Sequence, residues 1–460
     1  MRLFGTDGIR GLANVGVMSP EAALLLGRAV GLSLYQHIEE RRPQVVLGKD
    51  TRLSGCLIEH ALVAGLCSAG VDVLFAGIVP TPAVATITQS LYADAGLMVT
   101  ASHNPFEENG VKVFGQNGLK LTEDAERKIE DIIHNLKLGS EELRPTGREI
   151  GKTSRIDNAI ALYTKKITQS LPRGFSLQGL KVVVDCAHGA AYRIAPDLLK
   201  DLGAEVIAIG VTPDGSNIND SCGATNTEKL IERVGREGAD IGIALDGDAD
   251  RVILVDETQS VIDGDQVLAI LGRTMNANGQ LKGNRVVATV MSNLGLDITL
   301  RKHNVTVERV QVGDRHVMAK MIEEGLNLGG EQSGHTILKD FSTTGDGLVT
   351  ALVILNIMTT EKKTLSVLGS EMVRYPQVLK SFKVSSKPPL ESLLKTNAII
   401  ASIEKRLGDR GRVLIRYSGT EQKARIMVEG EDERLISKFV EDIHSVMLGE
   451  IILISKGFII

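Results

Sequence analysis

VVLGKDTRLSGCLIEHALVAGLCSAGVDVLFAG, residues 45–77, decides the fold. It opens on a short aliphatic run, VVLGKD (45–50), passes through a segment with apolar residues at helical spacing, and closes on a second run, VDVLFAG (71–77). That order predicts a strand, a helix and a second strand joined by a right-handed crossover. The pattern occurs twice more, as KVVVDCA (181–187) leading to AEVIAIG (204–210) and RVVATVM (285–291) leading to VTVERVQVG (305–313). From first valine to closing glycine the three units span 32, 28 and 27 positions, too irregular for a solenoid. The expectation is an α/β protein with three similar mixed-sheet domains.

Polar joints separate the units. KLGSEELRPTGREIGKTSR (137–155) holds a proline and three glycines, and SSKPPLES (385–392) carries paired prolines near the start of a different region. There GRVLIRYSGTEQKARIMVEG (411–430) predicts two strands around a turn, and DERLISKFVEDIHSVM (432–447) predicts a helix after them. A smaller C-terminal α+β domain fits that order. The boundaries expected are 1–151, 152–256, 257–372 and 373–460.

Composition narrows the function classes. Apolar residues at 43% and charged residues at 24% match an ordinary globular chain. Aromatic residues make up 3%, tryptophan is absent and the formal charge is -5, so neither stacking platforms nor a global basic field serve nucleic acid. Cys56, Cys67, Cys186 and Cys222 fit neither zinc-ligand spacing nor a disulfide framework. MRLFGTDGIRG at the start lacks the apolar core of a signal peptide, and runs such as ALVILNIM (351–358) are too short to span a membrane. A cytoplasmic protein without a membrane partner is the expected placement.

Each α/β unit is followed by a loop dense in polar groups: TASHNP (100–105), DGDADR (246–251) and GEQSGH (330–335), with RYSGTE (416–421) in the fourth domain. Ligands of α/β sheets gather outside the carboxyl ends of strands, so four such loops are expected around one central cleft. In ALDGDADRVILVD (244–256), Asp246, Asp248 and Asp250 alternate along a tight turn. Three carboxylates so close repel one another unless a cation lies between them, and oxygen-only ligands favour a hard ion such as Mg²⁺. The alternative is a solvated acidic turn. A calcium loop is excluded, because Arg251 stands where the sixth-position glycine is required.

Three aspartates leave an octahedral ion short of ligands, and a phosphate oxygen would serve as a fourth. Ser102 lacks the G-x-S-x-G setting of a hydrolase, and in an extended segment His103 would point away from it. A phosphoryl group on Ser102 would instead complete the metal site. The alternative is a capping serine in an Asn-Pro turn. GTDGIRG is neither G-x-G-x-x-G nor a Walker loop, which argues against a nucleotide site.

TASHNP with NGVK (109–112), then DGDADR, GEQSGH and RYSGTE, in this order and spacing, resemble the four active-site loops of the α-D-phosphohexomutase superfamily. The resemblance runs from FGTDGIRG (4–11) to about residue 447. With VMSNLGL (290–296) and VGDR (312–315), the chain is most similar to the bacterial branch acting on glucosamine phosphates. The resemblance implies that Ser102 carries the catalytic phosphate and, with Asp246, Asp248 and Asp250, holds one Mg²⁺. It implies that Glu331 and Ser333 grip sugar hydroxyls and that Arg416, Ser418, Gly419 and Thr420, with Arg425, hold the substrate's existing phosphate. Arg10, Lys49, Lys112, Arg251 and His335 are implied close to the phosphoserine and the reacting sugar.

The implied reaction interconverts glucosamine 6-phosphate and glucosamine 1-phosphate through a hexosamine 1,6-bisphosphate, toward UDP-N-acetylglucosamine. Mutases of glucose or mannose phosphates, a sugar phosphatase and an idle sugar-phosphate sensor are the alternatives. Tyr417 and Gln422 depart from the family pattern, standing where prolines are common. The tail LGEIILISKGFII (448–460) extends past the family's ordinary end. Such a tail packs on its own domain or on a partner subunit, so a homodimer stays open.

Overall fold

The computed structural model describes residues 3–5, 7–35, 41–136, 144–418 and 421–455. The chain forms two compact units, one of Met1–Thr289 with Glu308–Glu371, the other of Val290–Val307 with Met372–Ile460.

The first sheet contains β1 (Ile9–Leu12), β2 (Gln44–Lys49), β3 (Asp72–Ile78), β4 (Ala95–Val99), β5 (Glu108–Gly115) and β6 (Thr153–Arg155), in the order β1-β5-β4-β2-β3-β6. β2 runs parallel to β3 and β4, whereas β5 is antiparallel to β4 and β1. β4 is buried along its whole length, which suits its unbroken small and aliphatic sequence AGLMV. Helices Pro20–Tyr35 and Gly55–Ser68 approach backbone to backbone. A Cβ at Gly27 would lie 2.3 Å from the Leu62 carbonyl oxygen, and one at Gly65 would lie 2.1 Å from that of Leu24. The joint at 137–155 does not stay a free linker. Its end, Thr153–Arg155, adds to β3 as a parallel edge strand, while residues 137–143 lie outside the described residues.

The second sheet follows the same plan with β7 (Lys181–Asp185), β8 (Glu205–Ile209), β9 (Ile241–Leu245), β10 (Val252–Asp256) and β11 (Val261–Ile262), ordered β11-β10-β9-β7-β8. β9 and β10 form an antiparallel hairpin whose last pair is Leu245 with Val252, so residues 246–251 are its loop. The third sheet has β12 (Arg285–Thr289), β13 (Thr306–Val310), β14 (Leu328–Gly330) and β15 (Thr336–Leu338), ordered β13-β12-β14-β15. β14 and β15 form another hairpin, and residues 331–335 join them. All three expected strand, helix and strand units are present, in mixed sheets.

In the second unit, β16 (Gln377–Lys383), β17 (Gly411–Tyr417) and β18 (Lys423–Gly430) form an antiparallel sheet ordered β16-β18-β17. Helix Glu433–Ser455 buries Ile436, Phe439, Val440, Ile443, Met447 and Ile451 in its core, at the three- and four-residue spacing of one helical face. The apolar tail therefore starts as a continuation of this helix, with Ile451 in the core of its own domain and Ile454 packed against it, while Ile452 and Leu453 are exposed. Glu450 is buried within it and caps helix Leu394–Leu407, accepting from Lys395 N at 3.0 Å, Thr396 N at 2.9 Å and Thr396 Oγ1 at 2.8 Å. Residues 456–460 lie outside the described residues. Among the described residues no helix is long and apolar enough to cross a membrane.

Candidate active site

Ser102 follows the carboxyl end of β4 in a backbone conformation unusual for serine, with φ at +53°. It is not extended, so the expectation that His103 points away from it fails. Ser102 Oγ lies 3.4 Å from His103 Nδ1 and donates a 2.7 Å hydrogen bond to Asp246 Oδ2. Burial first, then Arg251 and Arg10, push the His103 imidazole down to about 4. It is neutral at pH 7 and adds no charge beside the serine.

Asp246, Asp248 and Asp250 each offer one carboxylate oxygen, these atoms all lying within 4.8 Å of one another. All three residues are buried. Lys112, buried on β5, donates to Asp248 Oδ2 at 2.8 Å and Asp250 Oδ2 at 2.7 Å, and the Thr81 hydroxyl also donates to Asp248 Oδ2. Of the other oxygens, Asp248 Oδ1 is buried without a hydrogen-bond partner, and Asp250 Oδ1 faces only His335 Nδ1, at 3.5 Å, and Arg251 Nε, at 3.9 Å. Buried carboxylate oxygens left bare are costly, and a hard cation satisfies several at once. The residues present therefore fit a divalent metal.

Charge is unevenly held in this cluster. Burial, with Asp248 and Asp250 adding to it, holds the Asp246 carboxyl well above its ordinary range. Burial opposes ionisation of Asp250 too, but Lys112, His335 and Arg251 outweigh it and hold Asp250 well below that range. His335, at the end of the 331–335 loop, places Nδ1 3.5 Å from Asp250 Oδ1 and Nε2 3.5 Å from Asp314 Oδ2. Burial lowers the His335 pKa and these carboxylates raise it by more, for a net upward shift. Arg251 Nε stands 3.9 Å from Asp250 Oδ1.

The other expected residues of the first unit fall into place unevenly. Arg10 donates to the Ala101 carbonyl at 3.2 Å and to Asp7. Glu331 Oε1 accepts from Gly313 N at 2.8 Å, and Ser333 is exposed. Lys49 stands apart, its ammonium bound to Glu59 and to Cys56 Sγ rather than to the aspartate cluster.

Several residues were not singled out from sequence. Asp7 binds Arg10 and Lys120 and lies 3.5 Å from Lys112, while Lys120 also binds Asp314. Burial opposes the charge on Asp7, but Lys112, Lys120 and Arg10 hold it well below the carboxylate range. Arg52 and Asn219 support the backbone of the Ser102 loop. Asp7 and Asp314 lie in stretches quoted for the resemblance, GTDGIRG and VGDR, and Arg52 follows VVLGKD, whereas nothing in the sequence pointed to Lys120 or Asn219.

In the second unit, Arg416 on β17 and Arg425 on β18 are directly paired across the sheet. Like charges at such positions repel, and burial followed by Arg425 lowers the Arg416 pKa. Two guanidinium groups held side by side in this way suit an anion. Ser418 N donates to Lys423 O at 2.9 Å, and Ser418 O accepts from Lys387 Nζ at 2.6 Å. Gly419 and Thr420 lie outside the described residues. Tyr417 packs against the core of this unit.

Phosphoglucomutase/phosphomannomutase models match in chain order: alpha/beta/alpha domain I over residues 1–139, domain II over 161–259, domain III over 263–375 and the C-terminal domain over 379–446. The chain is 49% identical over 446 residues to the phosphoglucosamine mutase of Geobacter sp. (strain M21), covering 97% of each. It is 50% identical over 442 residues to that of Caulobacter vibrioides (strain NA1000 / CB15N), covering 96% of this chain and 98% of the relative. Among solved structures, a phosphoglucomutase/phosphomannomutase family protein from Burkholderia thailandensis is similar with a TM-score of 0.81 and 25% identity, covering 98% of this chain and 97% of that one. Four domain models in order and relatives matched along almost their full length lead to one conclusion: the chain belongs to the phosphoglucomutase/phosphomannomutase family.

Proposed function

We propose that this chain interconverts glucosamine 6-phosphate and glucosamine 1-phosphate through a phosphorylated Ser102 and a hexosamine 1,6-bisphosphate. The observation that carries the reaction type is the buried Ser102 hydroxyl, hydrogen-bonded into a triad of carboxylates suited to a metal. The sugar is assigned on the relatives at about half identity, which are named phosphoglucosamine mutases.

Phosphoryl transfer asks a protein for positioning and for charge stabilisation more than for an elaborate nucleophile. Ser102, Asp246, Asp248 and Asp250 would hold Mg²⁺, which supplies neutralisation of the negative charge on the group in transfer. Lys112 and Arg251 supply fixed positive charge beside the same carboxylates. In the forward half-reaction the bond from phosphorus to Ser102 Oγ breaks, a bond to O1 of the sugar forms, and the proton lost from O1 ends on Ser102 Oγ, which leaves as the hydroxyl. After the bisphosphate turns around, the bond from phosphorus to O6 breaks, Ser102 Oγ regains the phosphoryl group, and its proton ends on O6, leaving glucosamine 1-phosphate. Arg416 and Arg425, with Ser418, Gly419 and Thr420, hold the phosphate that is not reacting. Glu331 and Ser333 hold sugar hydroxyls, Arg10 and His335 act beside the serine, and Lys49 is ion-paired with Glu59.

The experiment is an assay of the purified protein on the 6-phosphates of glucosamine, glucose and mannose with Mg²⁺ and a trace of bisphosphate. Preference for glucosamine 6-phosphate supports the assignment. Preference for either of the others moves the protein to another branch of the family, and release of inorganic phosphate alone makes it a phosphatase.

A further inference from the structure

Two side chains from distant parts of the chain grip the same two carbonyls of the Ser102 loop. Arg52 Nη2 donates to Ser102 O at 2.9 Å and to Asn104 O at 2.8 Å. Asn219 Nδ2 donates to the same oxygens, at 2.9 Å and 3.1 Å. Each nitrogen carries two hydrogens and each carbonyl oxygen two lone pairs, so the four bonds use the full capacity of both partners. Arg52 extends the grip through Nη1, which donates to Glu108 O at 3.1 Å and to Pro105 O. Its own Nε is held by Asp50 at 2.9 Å. Asp50 also accepts from the Thr100 hydroxyl, which in turn accepts from Ser102 N at 2.9 Å.

The metal loop takes part by what it lacks. A Cβ on Gly247, between Asp246 and Asp248, would lie 2.7 Å from Ser102 O and 2.8 Å from Asn219 Nδ2. A side chain there is incompatible with the grip. Asn219 itself has φ at +60°, a conformation asparagine tolerates better than most residues.

We propose that Asn219 is a positioning residue for the reaction: with Arg52, and through the gap at Gly247, it fixes the left-handed backbone of Ser102 so that Oγ faces Asp246. This rests on the phosphoserine reading above. A mutase needs such a clamp more than a hydrolase does, because Ser102 must give up a phosphoryl group, keep its place while the bisphosphate turns, and accept one back. Small displacements of a reacting group cost rate steeply.

The test uses Asn219→Gly, which removes the amide without penalising the positive φ. Asn219→Asp keeps the size but sets an acceptor against two carbonyls, and Gly247→Ala leaves both donors in place while pushing them off. All three should lower kcat, on the order of 10²-fold for Asn219→Gly, while KM for glucosamine 6-phosphate stays unchanged. Hydrogen exchange of the Ser102–Glu108 amides should accelerate in the same variants, with the rest of the first unit protected as in the wild type. Unchanged exchange in this segment, an unchanged kcat, or a loss confined to KM overturns the clamp. Faster exchange in variants of a wild type that proves to have no mutase activity would uphold the clamp and overturn the proposed function.

Discussion

Ser102 Oγ and Asp246 Oδ2 stand 2.7 Å apart across 144 positions of sequence. The hydroxyl is thus already among the carboxylates before any phosphate is attached. If Ser102 carries the transferred group, intact-mass measurement should find a fraction of molecules heavier by one phosphoryl group. Ser102→Ala should remove that species and nearly all turnover. An alanine variant with wild-type activity would eliminate the phosphoserine.

The buried carboxylates of Asp246, Asp248 and Asp250 are close enough together to hold a cation. Asp248→Asn or Asp250→Asn keeps the shape and removes a charge from a hard-ion site, so activity should fall strongly and the Mg²⁺ concentration needed should rise. Treatment with EDTA should abolish wild-type activity and added Mg²⁺ restore it. An enzyme indifferent to EDTA has no such metal.

Arg416 and Arg425 face each other in a unit of their own, so their role is separable from the chemistry at Ser102. Arg416→Ala should raise KM and release free 1,6-bisphosphate during turnover, visible by ³¹P NMR, while leaving phosphorylation of Ser102 intact. Normal affinity with no released bisphosphate would remove this pair from substrate binding.

Asp346 gives a pH signature independent of activity. It caps helix Gly347–Glu361 through Leu348 N at 3.1 Å and Val349 N at 3.0 Å and accepts from the Tyr163 hydroxyl at 2.9 Å. Burial still raises its pKa to about 6 from an ordinary value of 3.8. Between those values the native state binds a proton that the unfolded chain has lost. This group's contribution to stability is therefore full below about pH 4 and declines as pH rises through about 6. Asp346→Asn keeps an acceptor and should remove the decline. The stability difference between variant and wild type should move toward the variant by on the order of 2–3 kcal/mol from pH 4 to pH 7, read from denaturant unfolding. A difference that is flat with pH contradicts the shift.

The strands were legible because buried parallel strands are written as unbroken aliphatic runs, as in VVLGKD and KVVVDCA. The aspartate triad was legible because three carboxylates in one tight turn have few other uses. The turn at Ser102 was not, since a positive φ at serine leaves no mark in composition and depends on donors from Arg52 and Asn219, far away in sequence. The same holds for the Lys120 link to Asp7 and Asp314, made across 113 and 194 positions. The tail looked like an apolar extension because Ile451 and its neighbours were seen without Glu450's partners, Lys395 and Thr396.

The most direct test of the phosphoserine cycle is a single turnover. Protein phosphorylated on Ser102 is mixed with an equal amount of glucosamine 6-phosphate and Mg²⁺, and both the intact mass and the ³¹P spectrum are followed. The account predicts that the protein loses one phosphoryl group as hexosamine 1,6-bisphosphate appears in matching amount, with glucosamine 1-phosphate following. Loss of the phosphoryl group as inorganic phosphate, or its retention while substrate is converted, would contradict it.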